Sequence, residues 1–122
     1  MSALAKFRDT PERSEELITA SLLTNVKAYA GGLCVRDTAT GYDRPGVTAT
    51  GLIALGRFEE TVDATGFASG VKKARVRRGG IFRFNNSSSS DAIAVANKGA
   101  PCFIVDDQTV ALTDGSSTRS VA

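Results

Sequence analysis

The sequence contains no histidine and no tryptophan, and its eight aromatic residues are six Phe and two Tyr. Histidine is the side chain that changes charge near neutral pH, and it is the commonest metal ligand. Without it, no Ser-His-Asp or Cys-His site can be assembled from this chain alone. Two cysteines, Cys34 and Cys102, lie far apart in apolar runs. They form no Cys-x-x-Cys pair, and no histidine is present to complete a zinc site. Both read as small core hydrophobes carrying reduced thiols. No apolar window is long enough to span a bilayer, and the first nine residues lack the apolar core of a signal peptide. These absences disfavour an enzyme, a cofactor and a membrane role, and they place the chain in a cytosol.

What is abundant is small. Ala, Gly, Ser and Thr make up 52 of the 122 residues, a length that fits one domain. Apolar burial contributes about 25 cal/mol per Å², so a core of Ala, Val and a few Phe contributes less than a Leu-rich one. Such a body is expected to gain stability from an oligomer or a large partner. The net charge is +2, but it is unevenly spread. Residues 61–90 hold Lys72, Lys73, Arg75, Arg77, Arg78 and Arg83 against Asp63 alone. A segregated basic stripe is a contact surface for an acidic partner or simply the solvated face of an exposed strand.

Punctuation along the chain is that of β structure. Residues 1–15 are polar, charged and interrupted by Pro11, and read as an extended arm; residues 16–122 read as a single β domain. Strands are expected over 17–24, 26–29, 33–36 and 51–62. In the last of these, Gly56 marks a bulge or a close backbone approach. The loop 37–41 ends on Gly41, free to take positive φ, and residues 42–46 read as a second turn. Period-two alternation in Lys73-Ala74-Arg75-Val76-Arg77, followed by Gly79-Gly80 and Ile81-Phe82-Arg83-Phe84, predicts a basic hairpin. Residues 85–90 read as a polar loop, 91–96 as a strand or one helical turn, and 102–112 as a final hairpin ahead of a polar tail. Short strands at this spacing predict an all-β fold, a small β-barrel or jelly-roll-like sandwich with an extended N-terminal arm.

Motifs for chemistry are weak. The stretch from Gly66 to Lys72 has the wrong glycine spacing for a phosphate-binding loop, and Val71 precedes its lysine. Asn85 and Asn86 each begin a glycosylation acceptor triplet, but in a Ser-rich loop without a signal peptide these are chance matches. Glu59-Glu60 and Asp106-Asp107 are adjacent pairs whose side chains point to opposite faces of a strand. They read as turn and edge solvation. The basic hairpin lacks the exposed aromatics that nucleic-acid modules use for stacking, because Phe82 and Phe84 share one face and read as core.

Several stretches in a fixed order resemble the head decoration, or cement, proteins of tailed bacteriophages and Mu-like prophages. They are Tyr29-Ala30-Gly31-Gly32-Leu33-Cys34-Val35, Gly41-Tyr42-Asp43-Arg44-Pro45-Gly46, Ala49-Thr50-Gly51-Leu52 and Ala54-Leu55-Gly56-Arg57. Next come Glu59-Glu60-Thr61-Val62-Asp63 and Val76-Arg77-Arg78-Gly79-Gly80-Ile81-Phe82-Arg83-Phe84. Ile104-Val105-Asp106-Asp107-Gln108-Thr109-Val110-Ala111 and Thr118-Arg119-Ser120-Val121-Ala122 complete the series. The likeness runs from about residue 9 onward. Members of that family carry further β sequence ending near a tryptophan, which this sequence lacks.

The resemblance implies a non-enzymatic virion component on the capsid exterior, assembled in a bacterial cytoplasm. Its expected partners are the major capsid protein and itself, as a homodimer or homotrimer at local symmetry axes, bridging capsid subunits and stabilising the head. No direct nucleic-acid role is expected. The alternatives are another virion component, such as a tail or head fibre, or a nucleic-acid-binding β module. On charge and expected exposure, the contact residues are Phe7 and Arg8 in the arm and Lys72, Lys73, Arg75, Arg77 and Arg78 in the basic segment.

Overall fold

The chain runs through ten strands in a computed structural model that describes residues 2–11 and 16–122. They are β1 (Leu17–Ser21), β2 (Lys27–Ala28), β3 (Leu33–Asp37), β4 (Asp43–Pro45), β5 (Leu52–Phe58), β6 (Val62–Asp63), β7 (Lys73–Arg77), β8 (Asn85–Asn86), β9 (Phe103–Ile104) and β10 (Thr109–Ala111). Strands hold 34% of the described residues and helix 5%, which makes the fold all-β. Five strands form a sheet in the order β1-β7-β5-β3-β4, three more the order β8-β10-β9, and β2 pairs with β6. Within the five-stranded sheet every ladder is antiparallel.

Alternation assigns the faces of this central sheet. One face carries Ala20, Cys34, Phe58, Ala74 and Val76, which pack with Ala28 of β2 and with Ala64, just past β6. The opposite face carries Leu33, Val35 and Leu52, covered by Ile104 of β9. The sandwich expectation therefore holds, with the second layer lying over the β3–β5 end of the sheet. A fully hydrogen-bonded barrel is not formed among the described residues. The sheet's edges meet at one bridge, between Leu22 and Asp43. There the Leu23 N–H donates to the Asp43 carbonyl at 2.8 Å, and the Ser21 N–H donates to the Asp43 carboxylate at 2.9 Å.

Gly56 is both a bulge and a close approach. The β3–β5 register shifts between Cys34 and Val35, leaving Leu55 as the extra residue between Ala54 and Gly56. A Cβ at Gly56, where φ is +155°, would stand 2.1 Å from the Arg77 carbonyl oxygen. Gly41, at φ +78°, closes the β3–β4 loop as the sequence predicts.

Other expectations are corrected. The basic hairpin does not form: β7 is a strand, but β1 and β5 occupy both its edges, so residues 81–84 have no edge to return to. Gly79 and Gly80, at φ +75° and +96°, turn the chain away instead. Residues 43–45 form a strand rather than a turn, with Pro45 on an outermost strand where a missing N–H is tolerated. Asn85–Asn86 pairs with β10 rather than lying in a loop. The stretch around residue 91 forms two single-turn 3-10 helices, Ser89–Asp91 and Val95–Asn97.

The expected polar tail is also built into the body. Arg119 donates to Asp91 at 2.8 Å, and Val121 bridges Phe103. The buried Ser120 hydroxyl donates to the Ala49 carbonyl at 2.8 Å and accepts the Leu52 N–H at 3.0 Å. A hydrogen bond from Thr113, reinforced by Arg119, holds the Asp91 carboxyl down to about 2.

Cys34 is fully buried and Cys102 half-buried, and neither is in a disulfide. Burial, with the nearby Asp43 carboxylate adding to it, pushes the Cys34 thiol up, so it stays a protonated hydrophobe. Residues 2–11 are exposed and carry neither strand nor helix, with Leu4 and Phe7 at 72% and 92% exposure. The rest of the expected arm, residues 1 and 12–15, lies outside the described residues.

Two measurements test this construction. Gly56→Ala is expected to destabilise the fold by roughly 3 kcal/mol, because the added methyl meets backbone. A thermal melt matching the native protein would show that β5 and β7 can separate there. Burial raises the Asp43 carboxyl above its ordinary value. Its protonated form therefore favours the fold below about pH 4, and that contribution is lost as pH rises through the raised value. At pH 7 Asp43→Asn should melt no lower than the native protein, since the amide oxygen still accepts the Ser21 N–H. Asp43→Ala should lose about 1 kcal/mol.

Candidate partner-binding surface

The β1–β7 end of the second sheet face is where the predicted basic residues converge. Register places Leu17 opposite Arg77, Thr19 opposite Arg75 and Ser21 opposite Lys73. On the other flank Arg57 stands opposite Arg77. Directly opposed residues share a face, so Lys73, Arg75, Arg77 and Arg57 project together. The same register leaves Ala74 and Val76 in the core.

Two carboxylates that read in the sequence as edge solvation, Glu59 and Glu60, sit among these cations. Past the end of β5 the chain bends, and both glutamates turn to β7. Glu59 pairs with Arg57 at 2.7 Å and with Arg77 at 3.5 Å. Glu60 pairs with Arg75 at 3.2 Å. The Arg57 hydrogen bond holds the Glu59 carboxyl below the usual range, and Arg77 reinforces it. The cationic stripe apparent in residues 61–90 is thus partly neutralised in three dimensions by residues just outside that window. The signal that could have found them was β5 itself: an apolar strand ending in Glu-Glu, placed antiparallel to one ending in Arg-Val-Arg.

Lys73 shares this face but is tied to its neighbours, whereas Lys72 and Arg78 lie beyond the ends of β7. Lys73 donates to the Ser21 hydroxyl at 2.9 Å and to the Gly70 carbonyl at 3.2 Å. Lys72 precedes the strand and lies over the Phe67 ring, 4.5 Å from its centroid. Arg78 follows the strand and is exposed, its backbone N–H bound to the Glu16 carbonyl. Phe7 and Arg8 are exposed, and no hydrogen bond or ion pair ties them to the sheet among the described residues. Of the expected contacts, Lys73, Arg75 and Arg77 therefore share the sheet face, Lys72 and Arg78 flank it, and Phe7 and Arg8 lie in the extended segment.

Phe82 and Phe84, expected in the core, border the sheet face half-buried. The Arg57 guanidinium lies 4.7 Å from the Phe82 ring centroid, and Phe84 packs against the second core cluster. The Asn86 side chain is occupied internally, donating to the Ile93 carbonyl and accepting the Ile93 N–H, both at 2.9 Å. No group of three or more His, Cys, Asp or Glu that could hold a metal occurs among the described residues. No protein-family model, curated protein or solved structure matches this chain.

If Glu59 and Glu60 limit the positive potential of this face, Glu59→Gln with Glu60→Gln should retard the protein on a heparin column and raise its elution salt. Exposed pairs contribute little to folding, so the melting temperature should stay within about 5 °C. Unchanged elution would mean that the arginines are already free to bind anions.

Proposed function

We propose that this chain is a head decoration protein of the cement class, binding the outside of a tailed-phage head and bridging neighbouring major capsid proteins. The observation that carries the reading is that the expected contact residues lie in two separate exposed parts of a 122-residue chain. One is the extended segment with Leu4 and Phe7 unburied; the other is the partly covered sheet face with its arginines. A bridging protein needs two surfaces, and modest contacts at each combine through multivalency. The ordered likeness of the sequence to cement proteins supports the same assignment.

In this reading the protein is not an enzyme, sits on the virion exterior, and associates with itself at local symmetry axes. The small-residue core suits a subunit whose stability is completed by its neighbours. Partial neutralisation of the basic face argues for a protein surface over a phosphate backbone, because counterion release rewards unpaired cations.

Co-sedimentation with expanded, undecorated heads, beside an equal mass of duplex DNA at physiological salt, tests the proposal. Saturation at a fixed ratio per capsid subunit, with little bound to DNA, is the expected result. Replacing Arg75, Arg77 and Arg78 with Ser should weaken head binding at least tenfold while the subunit still folds. Binding to DNA and not to heads would overturn the assignment in favour of a nucleic-acid module.

A further inference from the structure

A concave site of about 440 Å³ lies just before β3, between the turn from Tyr29 to Gly32 and the turn that holds Asp107 and Gln108. Its size is that of a small binding site, and its lining lies away from both ends of the sequence. The two walls are fixed to the sheet and to each other. Gly31 N–H donates to the Phe58 carbonyl at 2.8 Å, Gly32 N–H to the Tyr29 carbonyl at 3.0 Å, and Leu33 N–H to the Asp107 carbonyl at 2.7 Å. Gly32 is buried between the walls. A Cβ there would stand 3.1 Å from the Tyr29 carbonyl oxygen and 3.5 Å from an Asp107 carboxylate oxygen.

The polar side chains around this site have no partner within the subunit. The Asp107 carboxylate, the Gln108 amide and the Tyr29 hydroxyl enter no hydrogen bond or ion pair among the described residues. Asp107 is half-buried and is the one charged group on the lining. Its neighbour Asp106 accepts the Gln108 N–H at 2.9 Å and also lacks an ion pair among the described residues, so no cation of the body neutralises this end. The Tyr29 ring is 53% exposed beside them. An open aromatic face next to an unpaired carboxylate is what a guanidinium takes: it stacks on the ring and shares two hydrogen bonds with the carboxylate.

We propose that this site receives the N-terminal segment of a second copy of the chain, with Arg8 stacked on Tyr29 and paired with Asp107. Charge and shape select this occupant. Taken up in extended form, the segment sends Lys6 and Arg8 to one side and Phe7 and Asp9 to the other, so a cationic side meets an acidic site. A concave site also needs a protruding ligand. Arg75, Arg77 and Arg78 lie in or beside a packed strand, whereas residues 2–11 are exposed along their length. On its own subunit the segment makes none of these contacts, and Phe7 stands 92% exposed. That the two copies meet on a phage head rests on the function proposed above; the pairing of segment and site does not.

The test is sedimentation velocity of the full chain over a concentration series, read beside amide NMR spectra of the same samples. The native chain should self-associate, with shifts that grow with concentration and centre on Tyr29, Gly31, Gly32 and Asp107. Asp107→Asn, which keeps the shape of the side chain, should weaken association at least tenfold, and so should Lys6→Glu with Arg8→Glu. Asp107→Lys combined with Lys6→Glu and Arg8→Glu in one chain should restore most of the loss, which a merely misfolded variant would not do. A native chain that stays monomeric throughout, variants that associate like the native chain, or a reversed chain that recovers nothing would each overturn the proposal. Site shifts that are the same at every concentration would place the segment on its own subunit and overturn it too. Co-sedimentation with heads is read separately. Self-association at this site without head binding would overturn the cement reading alone, and head binding by a chain that does not self-associate would overturn this contact alone.

Discussion

Contact between Gly56 and the Arg77 carbonyl sets the geometry from which the rest of the fold follows. A side chain there would collide with backbone, so only glycine lets β5 lie against β7 at this separation. The accompanying bulge opposite Cys34 and Val35 resets the alternation of β5 midway. Residues before it send Ala54 towards the second layer, and those after it send Phe58 inward and Arg57 outward. One strand thereby serves the apolar β3–β5 end of the sheet and the charged β7 end. An apolar groove lined by Leu33, Gly56, Phe82 and Phe84 lies where these two regimes meet.

The two ends of that face differ in what covers them. Over Leu33, Val35 and Leu52 lie Ile104 of β9 and the half-buried Val47 and Phe84. Over Thr19, Arg75 and Arg77 no strand is laid among the described residues, and carboxylates from just past the end of β5 supply the countercharge. Exposed pairs of this kind contribute little to stability, but they hold long side chains in place. Glu59 in particular holds Arg57 and Arg77 side by side. The result is a mixed-charge surface beside that apolar groove.

Local features were legible in the sequence and distant ones were not. Alternation at 73–77, the glycine at 56, the turn at Gly41 and the final hairpin all express preferences written within a few residues. The neighbours of β7 are not written there. A Gly-Gly turn followed by Ile81-Phe82-Arg83-Phe84 is good hairpin chemistry, and it fails because β1, more than fifty residues earlier, already holds the edge. Likewise, Glu59 and Glu60 look like edge solvation until the register sets them against Arg75 and Arg77. Ser120 sits in what reads as a polar tail, yet its hydroxyl satisfies the Ala49 carbonyl and the Leu52 N–H across the fold. No local pattern announces a serine whose partners are some seventy residues away.

The small-residue core has a consequence for how stability varies with temperature. Ala20, Ala28, Ala64 and Ala74 have no side-chain rotamers to freeze on folding, so they avoid an entropic cost that larger residues carry. They also uncover little apolar surface on unfolding. Since exposure of apolar surface is what makes the heat capacity of unfolding large, that heat capacity is low for a chain of this size. The stability curve is correspondingly broad: the protein gains little from a temperature optimum and loses little on either side of it.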